Sequence, residues 1–216
     1  MKNVYSLAPD KMIDITRPLS ENTPFWPGDE QFNRKLITVA DGFVTSRLKM
    51  SSHSGTHMDA PAHLAHCDIT VDNIPLTKLI LKATVVDCIS KKVIGVNVLS
   101  GLSLQGKALL LKTASSVSNH TEDFMNYPSL TVSAAETARE MGIALLGIDS
   151  VSVDPPESSN AHRIFLEASI PIVENLMLNE IDPGEYLLIC LPLRIESGDG
   201  SPVRALLQPV IPADLL

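Results

Sequence analysis

Short apolar runs rich in valine, isoleucine and leucine recur along this chain of 216 residues. Runs of this length and β-branched composition are typical of buried strands. They occupy residues 36–39, 83–89, 108–111, 143–148, 170–173 and 186–193. A more mixed run at residues 43–50 predicts a partly exposed strand. The chain is therefore expected to build its core around a sheet.

Helical segments are predicted between these strands. The clearest covers residues 131–141, where Ser133 and Glu136 have capping-box spacing and Gly142 suits the C-terminal end. A second helix is expected to begin near Asn160. Strands interleaved with helices indicate an α/β fold.

Composition limits the class of protein. A hydrophobic content of 44% over residues 1–216 suits one domain with one core. The net charge of −8 and the absence of a basic run disfavour nucleic acid as a partner. No apolar stretch is long enough to cross a bilayer, and residues 1–5 lack the apolar core of a secretion signal. We expect no membrane partner and a cytoplasmic location.

The three cysteines fit that location. Cys67, Cys88 and Cys190 are odd in number and lack paired spacing, which favours reduced thiols. Cys88 and Cys190 lie in apolar runs and are expected in the core. Cys67 follows His63 by four residues and could approach a site there.

The segment His53–His63 is rich in potential metal ligands. His57 and Asp59 are two residues apart, so in an extended segment their side chains point to the same side. His53 can join them if the chain turns at Gly55, because glycine adopts backbone angles that other residues avoid. Imidazole and carboxylate ligands suit Zn²⁺, Mn²⁺ or Fe²⁺. The segment therefore predicts a metal site.

Three local ligands indicate a catalytic rather than a structural site. A structural zinc site is normally closed by four protein ligands, whereas a catalytic one leaves a position for water. His53, His57 and Asp59 leave room for water or for a second metal that shares the Asp59 carboxylate. His63 is the candidate general acid and base beside the ligands, because an imidazole can both accept and donate a proton.

The sequence also resembles a known family. The spacing H-x-G-T-H-x-D-x-P-x-H at His53–His63 is similar to the signature of the metal-dependent cyclase superfamily, which includes bacterial kynurenine formamidases (arylformamidases) and isatin hydrolases. Further stretches that resemble the family are Ile13–Ile15, Thr23–Asp29, Gly147–Pro155 and Asp199–Ala205. The resemblance therefore covers nearly the whole chain.

This resemblance implies a fold and a second set of ligands. The implied architecture is a swivelling β/β/α fold. His162 and Glu174 correspond to the downstream histidine and glutamate that bind metal in formamidases. From the residues alone, His162 could instead be a surface residue at a helix start, and Glu174 could cap the segment that follows it. The implied cofactor is Zn²⁺, one or two per subunit, with Mn²⁺ as the alternative.

The resemblance further implies an activity, an assembly state and a residue that contacts the substrate. It points to hydrolysis of N-formylkynurenine to kynurenine and formate, and to a homodimer or a larger homo-oligomer. Trp26 corresponds to an aromatic residue that contacts substrate in the family, although a core or subunit-interface tryptophan is the alternative. Leu64 stands where formamidases commonly have an aromatic residue, which bears on the choice of aryl amide substrate.

Two other functions remain open. One is an isatin hydrolase-like or other cyclic or aryl amide hydrolase of the same superfamily. The other is a metal-stabilised binding protein without turnover. The sequence has no G-x-S-x-G nucleophile elbow, phosphate-binding loop or dinucleotide fingerprint that would support a different chemistry.

Overall fold

The computed structural model describes residues 7–115 and 126–210. Twelve strands are assigned there: β1 Ile13–Asp14, β2 Asn33–Thr38, β3 Val44–Lys49, β4 His57–Asp59, β5 Ile80–Asp87, β6 Val93–Ile94, β7 Ala108–Lys112, β8 Ser129–Leu130, β9 Leu145–Ile148, β10 Ile172–Glu174, β11 Gly184–Pro192 and β12 Gly200–Pro209. The α-helices are α1 Val132–Glu140 and α2 Asn160–Glu167. Short 3₁₀ turns cover Pro9–Lys11, Ala40–Gly42, Pro61–His63, Val71–Asn73, Leu76–Lys78 and Val96–Leu99.

Eight strands form one sheet that closes on itself. Their order is β1-β12-β11-β5-β7-β9-β10-β4, and β4 also pairs with β12. The pairings β5–β7, β7–β9 and β9–β10 are parallel. The other pairings in this sheet are antiparallel. Because β12 borders both β11 and β4, the sheet is barrel-like. This mixture of a sheet and two helices confirms the predicted α/β fold.

The core divides into two clusters because side chains alternate across each strand. On β7, Leu110 belongs to a cluster inside the closed sheet, whereas Leu109 and Leu111 belong to a cluster beneath the helices. The helices contribute small residues from α1 and larger ones from α2, including Phe165, which is fully buried. Burying such a side chain stabilises the fold by about 2 kcal/mol.

Most predicted elements are present, and the exceptions have physical causes. The N-cap of helix α1 is Thr131, two residues before Ser133, because the Thr131 hydroxyl accepts the Ala134 N–H at 3.1 Å. Residues 200–209 contain no apolar run that predicts a strand, yet they form β12, the longest strand among the described residues. Its first residues pair with β4, and this contact lies far away in sequence.

The first apolar run forms a strand that is exposed rather than buried. Within the described residues, β2 pairs only with β3, in a two-stranded hairpin. Leu36 is 56% exposed and Val44 is 62% exposed. The prediction of a buried strand at residues 36–39 is therefore wrong for the single chain. The hairpin is not part of the closed sheet, and its side chains are almost all exposed.

Cys88 and Cys190 are fully buried, as predicted, and all three cysteines are free thiols. None of the helices in the described parts of the chain combines the length and the apolar character needed to cross a membrane.

Candidate metal centre and its cleft

Strand β4 carries the first two predicted ligands. It lies between β10 and β12, with His57 opposite Glu174 and Asp59 opposite Gly200. Met58, between them, points into the core and is fully buried. The alternation of a strand therefore directs His57 and Asp59 away from the core to one side, as the two-residue spacing predicted.

The turn at Gly55 brings in His53. Gly55 has a φ of +64°, and a Cβ at this position would lie 2.7 Å from Leu19 Cδ2. Its left-handed backbone returns the chain so that His53 Nδ1 lies 2.7 Å from Asp59 Oδ1. The His57 Nε2 atom lies 3.4 Å from the same oxygen. The three locally predicted residues thus converge at one carboxylate oxygen.

The two distant candidates converge on the other side of Asp59. His162 Nε2 lies 3.5 Å from Asp59 Oδ2 and 3.3 Å from Glu174 Oε1. His162 comes from the first turn of α2, and Glu174 ends β10. Glu174 also accepts the N–H of Val153 at 2.8 Å. Asp59 therefore faces two sets of potential ligands, His53 with His57 and His162 with Glu174.

In each of the histidines His53, His57 and His162, the ring nitrogen that points away from the cluster lies near an oxygen acceptor. His57 Nδ1 lies 2.9 Å from the Gly55 carbonyl oxygen. His162 Nδ1 lies 2.7 Å from Asp154 Oδ2. His53 Nε2 lies 2.9 Å from an oxygen of Asp199. An acceptor on one nitrogen fixes the ring and its tautomer, as is usual for metal-bound histidines.

Asp154 and Asp199 are functional candidates that were not predicted from the sequence. Both lie in stretches that resemble the family, so a signal was present. Asp199 follows a turn in which Ser197 adopts a left-handed conformation at φ +57°. The pairing of Asp199 with His53 joins residues 146 positions apart, which local patterns do not reveal.

Charge is distributed unevenly in this cluster. Burial lowers the pKa of His53, but hydrogen bonds and the charges of Asp59 and Asp199 raise it to about 9. The pKa values of His57 and His162 are raised in the same way, against their burial, by neighbouring carboxylates. The pKa of the Asp59 carboxyl is held well below its usual range despite burial, chiefly by the His57 charge. The carboxylates thus favour positive charge at the centre.

That preference and the donor set fit a divalent cation. Three imidazoles and two carboxylates offer nitrogen and oxygen ligands of the kind that Zn²⁺ and Mn²⁺ bind. The groups His53, His57, Asp59 and Asp59, His162, Glu174 each have ligand atoms within 4.8 Å of one another. The residues present therefore match one or two metal ions that share Asp59.

His63 lies at the edge of this cluster. It ends the 3₁₀ turn Pro61–His63, and its ring centroid is 4.3 Å from that of His53. Its Nδ1 lies 3.6 Å from Asp199 Oδ2. The His63 side chain is 39% exposed, whereas those of His53 and His162 are 15% exposed and that of His57 is 5% exposed. It is therefore open to the cleft and to solvent.

The cluster forms the floor of a cleft of about 340 Å³. Trp26, 39% exposed, lines this cleft together with Phe25 and Leu64. Trp26 is therefore not a core residue, which removes one of its two alternatives. Cys67 is not among the described residues that line the cleft. The cleft combines an apolar aromatic wall with a polar floor.

Comparison with known proteins identifies the family. Residues 13–155 match the Cyclase family. The chain is 36% identical over 207 residues to the kynurenine formamidase of Bacillus anthracis, covering 93% of this chain and 98% of that protein. The chain belongs to the Cyclase family. It is also 36% identical to the kynurenine formamidase of Geobacillus thermodenitrificans, with 91% and 96% of the two chains covered.

Solved structures of the family share the fold. A "predicted metal-dependent hydrolase" from Bacillus stearothermophilus has a TM-score of 0.80 at 27% identity, covering 91% of this chain and 97% of that one. Isatin hydrolase A from Ralstonia solanacearum has a TM-score of 0.82 at 22% identity, covering 96% and 98%. The cyclase-like fold expected from the resemblance is confirmed, and the family relationship implies a metal cofactor.

Proposed function

We propose that this member of the Cyclase family is a metal-dependent arylformamidase that hydrolyses N-formylkynurenine to kynurenine and formate. The observation that carries the proposal is the position of Asp59, whose two carboxylate oxygens face two separate ligand sets. Its full-length relatives named kynurenine formamidase support the choice of substrate. The reaction class is hydrolysis of an amide C–N bond.

The ligands of the proposal are divided between two positions. His53, His57 and Asp59 would hold one metal ion, and Asp59, His162 and Glu174 would hold a second if two are bound. Zn²⁺ is the first choice because imidazole and carboxylate ligands suit it, and Mn²⁺ is the alternative. A divalent metal ion lowers the pKa of water and polarises a carbonyl oxygen, which is the chemistry that amide hydrolysis needs.

The side chains around the cleft then bind the substrate and move a proton. Trp26, Phe25 and Leu64 hold the aryl ring against their apolar surfaces, with the formamide directed at the cluster. Expelling the amine requires a proton at its nitrogen. His63 donates that proton, because it is the histidine that remains exposed beside the ligands.

The proposal extends to assembly and location. A two-stranded hairpin is marginally stable in water by itself. The hairpin of β2, β3 and their connection nevertheless exposes Leu36, Phe43, Val44 and Leu48. Contact with another copy of the chain would cover these side chains, which supports a homodimer or a larger homo-oligomer. The three free thiols support a reducing, cytoplasmic location.

The decisive experiment measures hydrolysis of N-formylkynurenine by protein loaded separately with Zn²⁺ and with Mn²⁺, beside a chelated control. We expect fast turnover that the chelator abolishes. Isatin and other aryl amides are assayed in parallel, because Leu64 lines the cleft where formamidases commonly have an aromatic residue. Turnover of isatin alone would favour the isatin hydrolase-like alternative. Stoichiometric metal without turnover of any amide would favour the binding protein.

A further inference from the structure

Asp199 lies on the side of the His53 ring that faces away from Asp59. It lies immediately before β12, and its carbonyl oxygen accepts the N–H of Ala60 at 2.9 Å. Its carboxylate accepts a hydrogen bond from the Ser52 hydroxyl at 3.1 Å on Oδ1. The other oxygen, Oδ2, lies 2.9 Å from His53 Nε2. The carboxylate is thus held by both backbone and side-chain contacts against the outer edge of the His53 ring.

The opposite edge of the same ring faces the metal cluster. His53 Nδ1 lies 2.7 Å from Asp59 Oδ1, so the ring stands between two carboxylates. Gly200 confines it further: a Cβ there would lie 2.9 Å from His53 Cε1 and 2.8 Å from the Met58 carbonyl oxygen. The ring therefore packs directly on the backbone of β12 and has little freedom to turn.

Two mutually exclusive arrangements follow from this geometry. A neutral imidazole carries one N–H and one lone pair. If Nε2 donates its N–H to Asp199, the lone pair is on Nδ1 and faces Asp59. If instead a metal binds His53 Nε2, its other ligands would be His63 and Asp199. The ligand atoms of these three residues also lie within 4.8 Å of one another.

The surroundings favour the first arrangement. Asp59 is 1% exposed and shared with the buried His57, whereas the Asp199 side chain is 47% exposed. His57 and His162 follow the same rule, with one nitrogen toward the cluster and the other on an oxygen acceptor. We infer that Asp199 is a positioning residue that accepts the Nε2–H of His53 and directs Nδ1 of that ring to the metal.

The same carboxylate also reaches the acid and base residue of the proposed reaction. Oδ2 of Asp199 lies 3.6 Å from His63 Nδ1, at ion-pair distance, while the His53 and His63 rings pack at 4.3 Å. Asp199 therefore positions His63 as well as His53. This second role rests on the proposed function, whereas the effect on the metal does not.

The test compares Asp199→Ala with Asp199→Asn. Alanine removes the acceptor, so we expect a 10- to 100-fold loss of Zn²⁺ affinity, measured by competition with a chelator of known affinity. Asparagine keeps an oxygen acceptor without the charge, so its loss should be smaller. At saturating Zn²⁺ both variants should have a lower kcat and a nearly unchanged KM. The reason is that His63 is displaced, whereas the apolar residues that bind the substrate are not.

Two matched controls bracket the result. Asp14→Asn removes an exposed carboxylate that pairs with Arg204 on the other side of β12, and it should leave Zn²⁺ affinity and turnover unchanged. Ser52→Ala removes one hydrogen bond to Asp199 but keeps the carboxylate. Its effect should be smaller than that of Asp199→Ala.

A spectroscopic measurement on the unaltered protein makes the inference independent of folding of the variants. In Zn²⁺-loaded protein, the imidazole ¹⁵N shifts should show His53 protonated at Nε2 and metal-bound at Nδ1. Zinc on Nε2, or unchanged Zn²⁺ affinity in Asp199→Ala, would overturn the inference. If the unaltered protein does not hydrolyse N-formylkynurenine, the proposed substrate fails, while the affinity and the His53 tautomer still decide the role of Asp199.

Discussion

Asp154 Oδ2 lies 2.7 Å from His162 Nδ1, and both oxygens of Asp154 also accept backbone N–H groups at the start of α2. The Asp154 carboxylate thus fixes both the start of α2 and the orientation of the His162 ring. His162 Nε2 is directed at Asp59 and Glu174 as a result. The second half of the candidate metal centre therefore depends on Asp154, which hydrogen-bonds His162 but is not itself among the predicted ligands.

We expect Asp154→Asn to weaken the second metal position selectively. The amide oxygen can still accept an N–H, but without the negative charge the affinity of that position should fall about 10- to 100-fold. Zn²⁺ titration followed by calorimetry should show one tight site retained and one weakened. Ser158→Ala is the control, because it removes a 3.4 Å contact to Asp154 Oδ1 and the acceptor of the Asn160 N–H but keeps the Asp154 carboxylate. Equal weakening of both sites would contradict the division of ligands.

His63→Ala tests the assignment of the acid and base. Loss of a positioned proton donor should lower kcat about 10²- to 10⁴-fold, while the metal content measured by atomic absorption stays near that of the unaltered protein. His66→Ala is the control, because His66 is an exposed histidine three residues away that pairs with Glu167. If metal is lost together with activity, His63 is a ligand instead.

The metal-free protein should lose stability as pH rises. The folded-state pKa of His53 is raised from 6.5 to about 9, so its stabilising effect is full below pH 6.5 and is lost as pH rises through 9. The raised pKa values of His57 and His162 act in the same direction. Between pH 6 and 8.5 the free energy of unfolding should fall by about 2 to 3 kcal/mol from His53 alone.

Urea denaturation of chelator-treated protein across this pH range measures that loss. His53→Gln should make the decline shallower, since glutamine does not titrate. Saturating Zn²⁺ should reverse the trend, because metal binding displaces the protons and is favoured as pH rises. A metal-free protein whose stability is flat from pH 6 to 8.5 would contradict the charge distribution described for the cluster.

The ligands His53, His57 and Asp59 could be predicted from the sequence because they lie within seven consecutive residues. The two-residue spacing of His57 and Asp59 and the turn at Gly55 follow from strand alternation and glycine conformation. His162 and Glu174 were found by family resemblance alone. Asp199 received no role because its contact with His53 depends on β12 returning to β4, a pairing that no local pattern specifies.

The fold shows the same limit. Short apolar runs predicted β5, β7, β9, β10 and β11, because these strands are lined by buried aliphatic side chains. Strand β12 interrupts that pattern with Pro202, Arg204 and Gln208, and it was missed. Both strands of the hairpin were predicted, and the exposure of β3 was expected from its mixed composition. The exposure of β2 was not, because it depends on tertiary placement that an apolar run does not encode.

Trp26→Ala should raise KM for an aryl amide without removing the metal. Trp26 is the only tryptophan and lines the cleft, so contact with an aromatic substrate buries apolar area of its indole. Losing about 1.5 kcal/mol of such contact corresponds to a roughly 10-fold higher KM. Trp26→Phe should restore much of the affinity. In the unaltered protein, a non-hydrolysable aryl amide should shift the tryptophan emission. An unchanged KM together with a change in sedimentation coefficient for Trp26→Ala would show that Trp26 serves the subunit interface rather than the substrate.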